Sequence, residues 1–353
     1  MIQALLVYNL ALFLLTGLML FTLWRKKDQN PEVWFILLAV TQLYLIILGA
    51  IAFPLNVFGR IQLLTWGLFL HFSLYLVGSI LLLRTQKRGF SILLACLLGL
   101  NILVAGDAFL VEPHWLQISR INISSPKLEE SLKVAVLADI QTDSPGPYEV
   151  RVLALVAAEN PDLVLLAGDY LHIKDPDQYL DVVTSLNKIF READLSPRLG
   201  IYAVPGNVDW NGWEQIFQDL EVKTFSSPET LDLGPLTLTG LGLLESGYPA
   251  LEVAGSEKFH IFLGHSPNFS LGEIKGDLLL AGHTHGGQFQ LPGIGPLATA
   301  SVVPRSWASG LNEIHPDQYL LVSRGIGLER GYAPRIRFLC RPELMIINLN
   351  TGS

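Results

Sequence analysis

Charge is scarce in this chain. Asp, Glu, Lys and Arg make up only 16% of its 353 residues, whereas half of the residues are hydrophobic. Soluble domains average about 25% charged residues, so an entirely soluble protein is excluded. Cysteine is scarcer still. Cys96 and Cys340 are the two present, with no CxxC spacing. A disulfide framework is thereby excluded, and any metal centre has to be built from His, Asp, Asn and similar groups. Basic residues are lacking where nucleic acid would need them. After residue 112 there are 17 Lys and Arg against 28 Asp and Glu. That balance argues against a phosphate-backbone-binding surface, so no nucleic-acid partner is expected. It leaves phosphate chemistry open, because bound divalent cations can supply the positive charge.

What the chain has in abundance is apolar runs, and they lie almost wholly before residue 112. Ala4–Trp24, Trp34–Phe53, Leu63–Leu83 and Phe90–Leu110 are each about 20 residues, the length that crosses a bilayer core as a helix. A cleaved signal peptide would account for one run and not for four. Arg25, Lys26 and Lys27 follow the first run, and Arg84, Lys87 and Arg88 follow the third. The intervening loop has only Arg60. The positive-inside rule puts the first and third loops in the cytoplasm, and with them everything after residue 112 on the opposite side. Of the polar residues in the spans, His71 reads as an interhelical hydrogen-bonding residue, and Asp107 sits near the exit. The chain thus divides into a four-helix transmembrane domain over 1–112, a connector over 113–132 and a soluble domain over 133–353, with a lipid bilayer as the partner of the first.

The soluble part alternates. Short β-rich runs at Lys133–Ala138, Leu163–Ala167 and Gly200–Val204 are separated by helical spacing over Pro147–Asn160 and Asp177–Ala193, and a further helix is expected near Trp213–Leu220. Later strands are expected at Leu236–Gly240, Phe259–Leu263, Leu278–Ala281, Tyr319–Ser323 and Leu344–Leu349. A βαβαβ start followed by strands implies an α/β domain with helices packed on sheets. Five of these runs end in metal-ligand side chains: Asp139-Ile140-Gln141, Gly168-Asp169, Gly206-Asn207-Val208-Asp209, Gly264-His265 and Gly282-His283-Thr284-His285-Gly286. Ligands in open α/β sheets bind beyond the carboxyl ends of strands. Alone, a Gly-Asp is a common turn and a lone His a common core residue. The ordered set of five is specific, and carboxylate, amide and imidazole together suit Mn, Fe, Zn or Mg.

The stretches LADIQTD, LLAGDYL, VPGNVDW, FLGHSP and LAGHTHGGQ, with VSRGIG and RPELMIINL closing the domain, resemble the calcineurin-like metallophosphoesterases, in particular their bacterial membrane and cell-envelope branch. The resemblance covers about Lys133 to Leu349 and implies an αββα sandwich, two sheets flanked by helices. It also implies two divalent metal ions. The first would be held by Asp139, Asp169 and His285, with Gln141 beside it. Asp169, Asn207, His265 and His283 would hold the second, and Asp169 would bridge the two. A metal-bridging hydroxide would attack a phosphate ester or diphosphate, with Asp169, Asn207 and His283 as the central catalytic residues. The substrate would be a phosphorylated small molecule or a lipid-linked one, and the protein would be a multi-pass protein of the bacterial cell membrane with an extracytoplasmic catalytic domain.

Two positions depart from the family pattern. Gln141 stands where Asp-x-His has its imidazole, and Val208 where Gly-Asn-His-Asp has the histidine that contacts the phosphoryl group. His172, His315 and Arg305 are candidate replacement donors. Arg324, Arg330 and Arg335 are candidate phosphate contacts, Trp210 and Trp213 are either mouth or core residues, and Asp209 is expected to orient local hydrogen bonds. The two departures also motivate a rival reading, a sensor that binds metal and a phosphorylated ligand with weak or no turnover.

Overall fold

A computed structural model describes residues 1–352 and divides the chain into two compact units. The first holds four helices long and apolar enough to cross a membrane: Ile2–Lys26, Pro31–Ala52, Val57–Leu83 and Arg88–His114. Their outward faces are apolar, with Leu10, Leu14, Ile36, Val40 and Leu103 all exposed, as a lipid environment requires and water does not tolerate. The buried faces carry a small polar ladder. Gln42 Nε2 donates to Thr16 Oγ1 at 3.0 Å and to the His71 carbonyl at 3.2 Å, and His71 Nε2 meets Asn9 Oδ1 at 2.9 Å. Between apolar helices such bonds fix which faces meet. The third helix passes through a π-helical turn at Gly67–His71.

The second unit is built on two six-stranded sheets. Its strands in chain order are β1 (Gln117–Ser125), β2 (Leu132–Leu137), β3 (Leu163–Leu166), β4 (Ile201–Ala203), β5 (Val222–Thr224), β6 (Glu229–Asp232), β7 (Thr237–Gly240), β8 (Glu252–Val253), β9 (His260–Leu263), β10 (Glu273–Ile274), β11 (Leu278–Ala281), β12 (Gln290–Leu291), β13 (Gly295–Pro296), β14 (Gly310–His315), β15 (Gln318–Val322) and β16 (Glu343–Thr351). The first sheet runs β1-β16-β2-β3-β4-β5, with β2 to β5 parallel. The second runs β14-β15-β11-β9-β7-β6, with β7, β9, β11 and β15 parallel.

Side chains of a strand alternate between the two faces of its sheet, and here both faces are buried. Val134, Val136, Leu163 and Leu165 point into the core between the sheets, where they meet Ile261, Leu263, Leu278 and Leu280. Ala135, Leu137, Val164 and Leu166 point the other way, onto the helices Pro147–Glu159 and Tyr179–Ala193. The outer face of the second sheet, with Phe262, Leu279 and Val322, is covered by short pieces such as the 3-10 turn Pro267–Leu271. The sandwich is therefore thick with helix on one side and thin on the other.

Two expectations change. The helix expected near Trp213–Leu220 is one 3-10 stretch, Trp213–Phe217, entered through Gly212 at φ 87°. Its residues bury Trp213, Ile216 and Phe217, a spacing too short to continue a helical face. The segment 113–132, read as a connector, contains β1, which pairs in parallel with β16 along its whole length from Gln117↔Glu343 to Ser125↔Thr351.

Candidate metal centre

The parallel strands of both sheets deliver their carboxyl ends to one place. Within a few residues of its end, β2 leads to Asp139, β3 to Asp169, β4 to Asn207, β9 to His265, and β11 to His283 and His285. Each chain leaves its strand by an abrupt turn. Asp139, Gln141, Asp169, His283 and His285 all have positive φ, between 43° and 71°. Left-handed backbone in non-glycine residues costs about 1–3 kcal/mol each and clusters at functional sites. Gly206 is required by the resulting crowding, because a Cβ there would collide with the Asp169 carboxylate.

The three ligand atoms of Asp139, Asp169 and His265 lie within 4.8 Å of one another, and all three side chains are buried. His265 Nε2 stands 3.3 Å from Asp169 Oδ2 and 2.9 Å from Asn207 Oδ1. His283 Nδ1 stands 2.7 Å from the same Asn207 oxygen. His285 Nε2 is 3.8 Å from Asp139 Oδ1. Gln141 also reaches the cluster, but by its amide nitrogen, which donates to Asp169 Oδ2 and to Glu329 Oε2, each at 3.3 Å. All seven residues picked from the sequence as metal ligands therefore converge.

Outer partners fix the inner ones. His265 Nδ1 lies 2.8 Å from the Ala167 carbonyl and His283 Nε2 lies 3.0 Å from the Ala300 carbonyl. Each ring donates to its carbonyl and turns its other nitrogen toward Asn207. On neutral His283 that nitrogen is a lone pair, whereas on protonated His265 it is an N–H directed at Asp169 and Asn207. His285 Nε2 and Gln141 Oε1 are buried with no hydrogen-bond partner at all. Such a cluster is costly alone and is satisfied by cations, so the donor set fits divalent metal. The Asp139 carboxylate accepts the His283 N–H at 2.9 and 3.1 Å, and Asp169 Oδ1 accepts the Val208 N–H at 3.0 Å. Asp209 fulfils its expected part. It accepts the N–H groups of Gly206, Asp169 and Tyr170, each at 2.8 Å, and so shapes the turn that carries Asp169. Asp209→Ala leaves these donors unpaired and is expected to cost about 2–3 kcal/mol, read as a lower melting temperature.

Electrostatics agree with this picture. Burial raises the Asp139 carboxyl, and the neighbouring Asp169 carboxylate adds to the rise. Burial alone would raise Asp169 too, but the adjacent His265 outweighs it and holds the pKa below the ordinary value. Burial likewise disfavours the charged form of His265, yet Asp169 prevails and pushes its pKa up to about 10. His283 falls to about 4 through burial and its neighbour His265, and His285 falls well below its usual value through burial and Arg337. Without metal, then, His265 keeps a proton at neutral pH where a cation belongs. Loading metal at pH 7 should release about one proton, and affinity should weaken as pH falls. Calorimetry in two buffers of different ionisation enthalpy checks this, and zero proton release would refute it.

The other candidates separate. His172 comes to the rim of the centre, 3.5 Å from Glu329 Oε1, and Arg330 Nε donates to the Gln141 carbonyl at 2.8 Å. His315 does not come near. It pairs with Gln318 at the start of β15, the end of the strands opposite the ligands. Arg305 lies in the turn Arg305–Trp307, and its side chain is exposed. Arg324 is committed to Glu343 at 2.9 Å. Trp213 is core, stacked on Tyr170, whereas Trp210 is partly exposed against Tyr179.

Two residues escaped the sequence reading. Glu329 lies beside Gln141, its carboxyl pushed up to about 7 by burial. Arg337 is fully buried and donates to the carbonyls of Arg324, Gly325, Gly327 and Cys340. The first three of these carbonyls belong to the segment whose Gly327 N–H bonds the Asp139 carbonyl at 2.7 Å. Neither residue stands in a recognisable motif.

Two packed sheets with a cluster of carboxylate, amide and imidazole groups at their strand ends form a site suited to divalent cations, the arrangement that metal-dependent hydrolases of phosphoester bonds require. Residues 132–287 match the family model of calcineurin-like phosphoesterases. The chain is 26% identical over 252 residues to an uncharacterized metallophosphoesterase of Campylobacter jejuni, a match covering 66% of this chain and 63% of that one. It is 26% identical over 266 residues to the uncharacterized metallophosphoesterase YkuE of Bacillus subtilis, covering 70% and 90%. It is also 26% identical over 254 residues to the phosphodiesterase YaeI of Escherichia coli, covering 67% and 90%. Residues 132–287 are thus similar to the calcineurin-like phosphoesterases, and the relatives matched over the soluble part carry metallophosphoesterase and phosphodiesterase names.

Proposed function

We propose that this chain is a membrane-anchored hydrolase of phosphate ester or diphosphate bonds, with its catalytic domain, residues 133–353 together with β1, outside the cytoplasm. The observation that carries the site assignment is the buried group Asp139, Asp169 and His265, whose ligand atoms lie within 4.8 Å of one another, beside the unpartnered His285 Nε2. Asp139, Asp169 and His285 would hold one divalent ion, and Asp169, Asn207, His265 and His283 the other. Mn, Fe, Zn and Mg all suit such donors, and the amide beside the first site tilts it toward Mn or Mg. When bound, such ions lower the pKa of water and offset charge on phosphoryl oxygens.

The chain's own residues do the positioning. Asp169 is held in register by Asp209 and Val208 from one side and Gln141 from the other. Asn207 and His283 sit at the open edge, where a phosphoryl oxygen arrives. Val208 offers no proton there. General acid help is worth about 10²–10⁴ in rate, so a substrate with a good leaving group is favoured, such as a diphosphate or an aryl ester. Val208→His is accordingly expected to raise turnover of alkyl phosphates more than that of aryl esters. Equal gains on both would remove the leaving-group explanation.

The four apolar helices favour substrates in or near the bilayer, lipid-linked or part of the cell envelope. Turnover of an aryl phosphodiester and an aryl phosphomonoester by the full chain in detergent, with Mn, Mg or Zn added after chelation, tests the activity and ranks the ester classes. Reporter fusions after residues 56 and 112 test the orientation. A cytoplasmic signal from the second fusion would reverse it.

A further inference from the structure

The ligand pair His283 and His285 is followed by an unusual stretch. Residues 286–304, GGQFQLPGIGPLATASVVP, contain no charged side chain, within a soluble part that is otherwise rich in acid. The stretch is not buried. Ile294 is 64% exposed and Val302 66%, and Leu297 is about half exposed. Ile294 sits at the tip of the β12–β13 hairpin, where Gly293 and Gly295 take φ of 75° and 80° and its N–H closes the turn on the Leu291 carbonyl. A lone aliphatic at a hairpin tip cannot fold back into its own domain.

This stretch is fastened to the metal centre. The Ala300 carbonyl accepts from His283, and Asn268, three residues after His265, takes the Ser301 hydroxyl at 2.6 Å and the Val302 N–H at 3.1 Å. The flanking loops are apolar as well. Leu271 closes the turn after His265, and Leu244, 83% exposed, and Tyr248 flank Ser246, whose hydroxyl faces the Ser266 N–H. The exposed aliphatics of residues 286–304 therefore lie on the segment fastened to the metal centre. Ile294, Leu297 and Val302 are single aliphatics in a stretch without charge, which suits a fluid apolar phase that needs no shape complement. The same chain supplies that phase. Its last candidate span ends at His114, and β1 begins at Gln117.

We propose that the uncharged 286–304 loop, flanked by Leu244, Tyr248 and Leu271, enters the headgroup–acyl boundary of a phospholipid bilayer and holds the mouth of the metal centre at the lipid surface. Single apolar side chains at an interfacial loop bind by buried area and need no shape complement. The substrate class this selects is a phosphoester at the headgroup of a membrane lipid, a consequence that rests on the phosphoesterase reading above. The bilayer contact itself does not.

The test uses the full chain in phosphatidylcholine nanodiscs with spin-labelled lipid as quencher. Cys96 is replaced by Ser, and Cys340 is buried, so one introduced cysteine takes an environment-sensitive fluorophore. Ile294→Cys and Val302→Cys report the rim. Glu257→Cys, before the start of β9 at the opposite end of the strands, is the control. Several-fold stronger quenching and a blue-shifted emission at both rim positions are expected. Equal quenching at all three positions overturns the proposal. So do rim labels that ignore lipid but transfer energy between two chains in one disc, which would assign the loop to a second copy. Quenching needs no turnover, so an inactive but quenched protein would count against the phosphoesterase reading alone.

Discussion

Asp169→Asn should leave the domain folded and abolish metal-dependent hydrolysis. In the proposed two-cation site, Asp169 is the carboxylate that would serve both ions. Its Oδ2 faces His265 at 3.3 Å, and its Oδ1 is held by the Val208 N–H at 3.0 Å. The amide keeps the size and one oxygen, and removes the negative charge between two cations. Removing one charge-stabilising group from a preorganised site costs on the order of 10²–10³ in rate, and loss of the shared ligand comes on top of that. The expected decline is therefore at least about 10³-fold in kcat. The readout is turnover of an aryl phosphodiester by the full chain with saturating Mn. Activity within a factor of a few of the parent would exclude Asp169 as the bridge.

Arg337→Met should lower stability more than any other single change outside the hydrophobic cores. Its guanidinium is wholly buried, and its N–H groups go to backbone carbonyls, including Gly327 and Cys340. Burial pushes its pKa down. Methionine fills much of the volume and relieves the buried charge, but leaves the carbonyls of Arg324, Gly327 and Cys340 unpaired, while that of Gly325 keeps the Glu343 N–H. Each unpaired buried polar group costs about 1–3 kcal/mol, and a net loss of about 3–5 kcal/mol is expected. Arg337→Lys should recover little, because an ammonium cannot fork across carbonyls on two segments. Because Gly327 also bonds the Asp139 carbonyl, metal affinity should fall together with melting temperature. A variant that melts with the parent would show that the carbonyls find other partners.

The proposed metal ligands stand out in the sequence because strand ends bring them together whatever the rest of the fold does. β2 and β3 are apolar on both faces, so their runs and their terminal Asp139 and Asp169 stand out. β1 was not legible. Gln117–Ser125 mixes polar and apolar residues because only part of one face is buried, and its partner β16 lies more than two hundred residues away. The short turn Trp213–Phe217 looked helical because three buried apolar residues at close spacing suit a 3-10 turn as well as a helix. Glu329 and Arg337 had no local signal. An isolated Glu or Arg in a glycine-rich segment reads as surface, and only the fold lays one against Gln141 and the other under Asp139. Gln141 and Val208 show the reverse. Their departure from the family pattern was plain, but that Gln141 would turn its nitrogen toward two carboxylates was visible only in three dimensions.

The central claim is a two-cation site built on Asp169, and the most direct test counts the ions. The full chain, stripped by chelator and dialysed against Mn, is analysed for metal by mass spectrometry beside Asp169→Asn. About two ions per chain are expected in the parent, as a bridged pair requires, with that pair lost in the variant. One ion or none in a folded parent, or two ions in both proteins, would contradict the account.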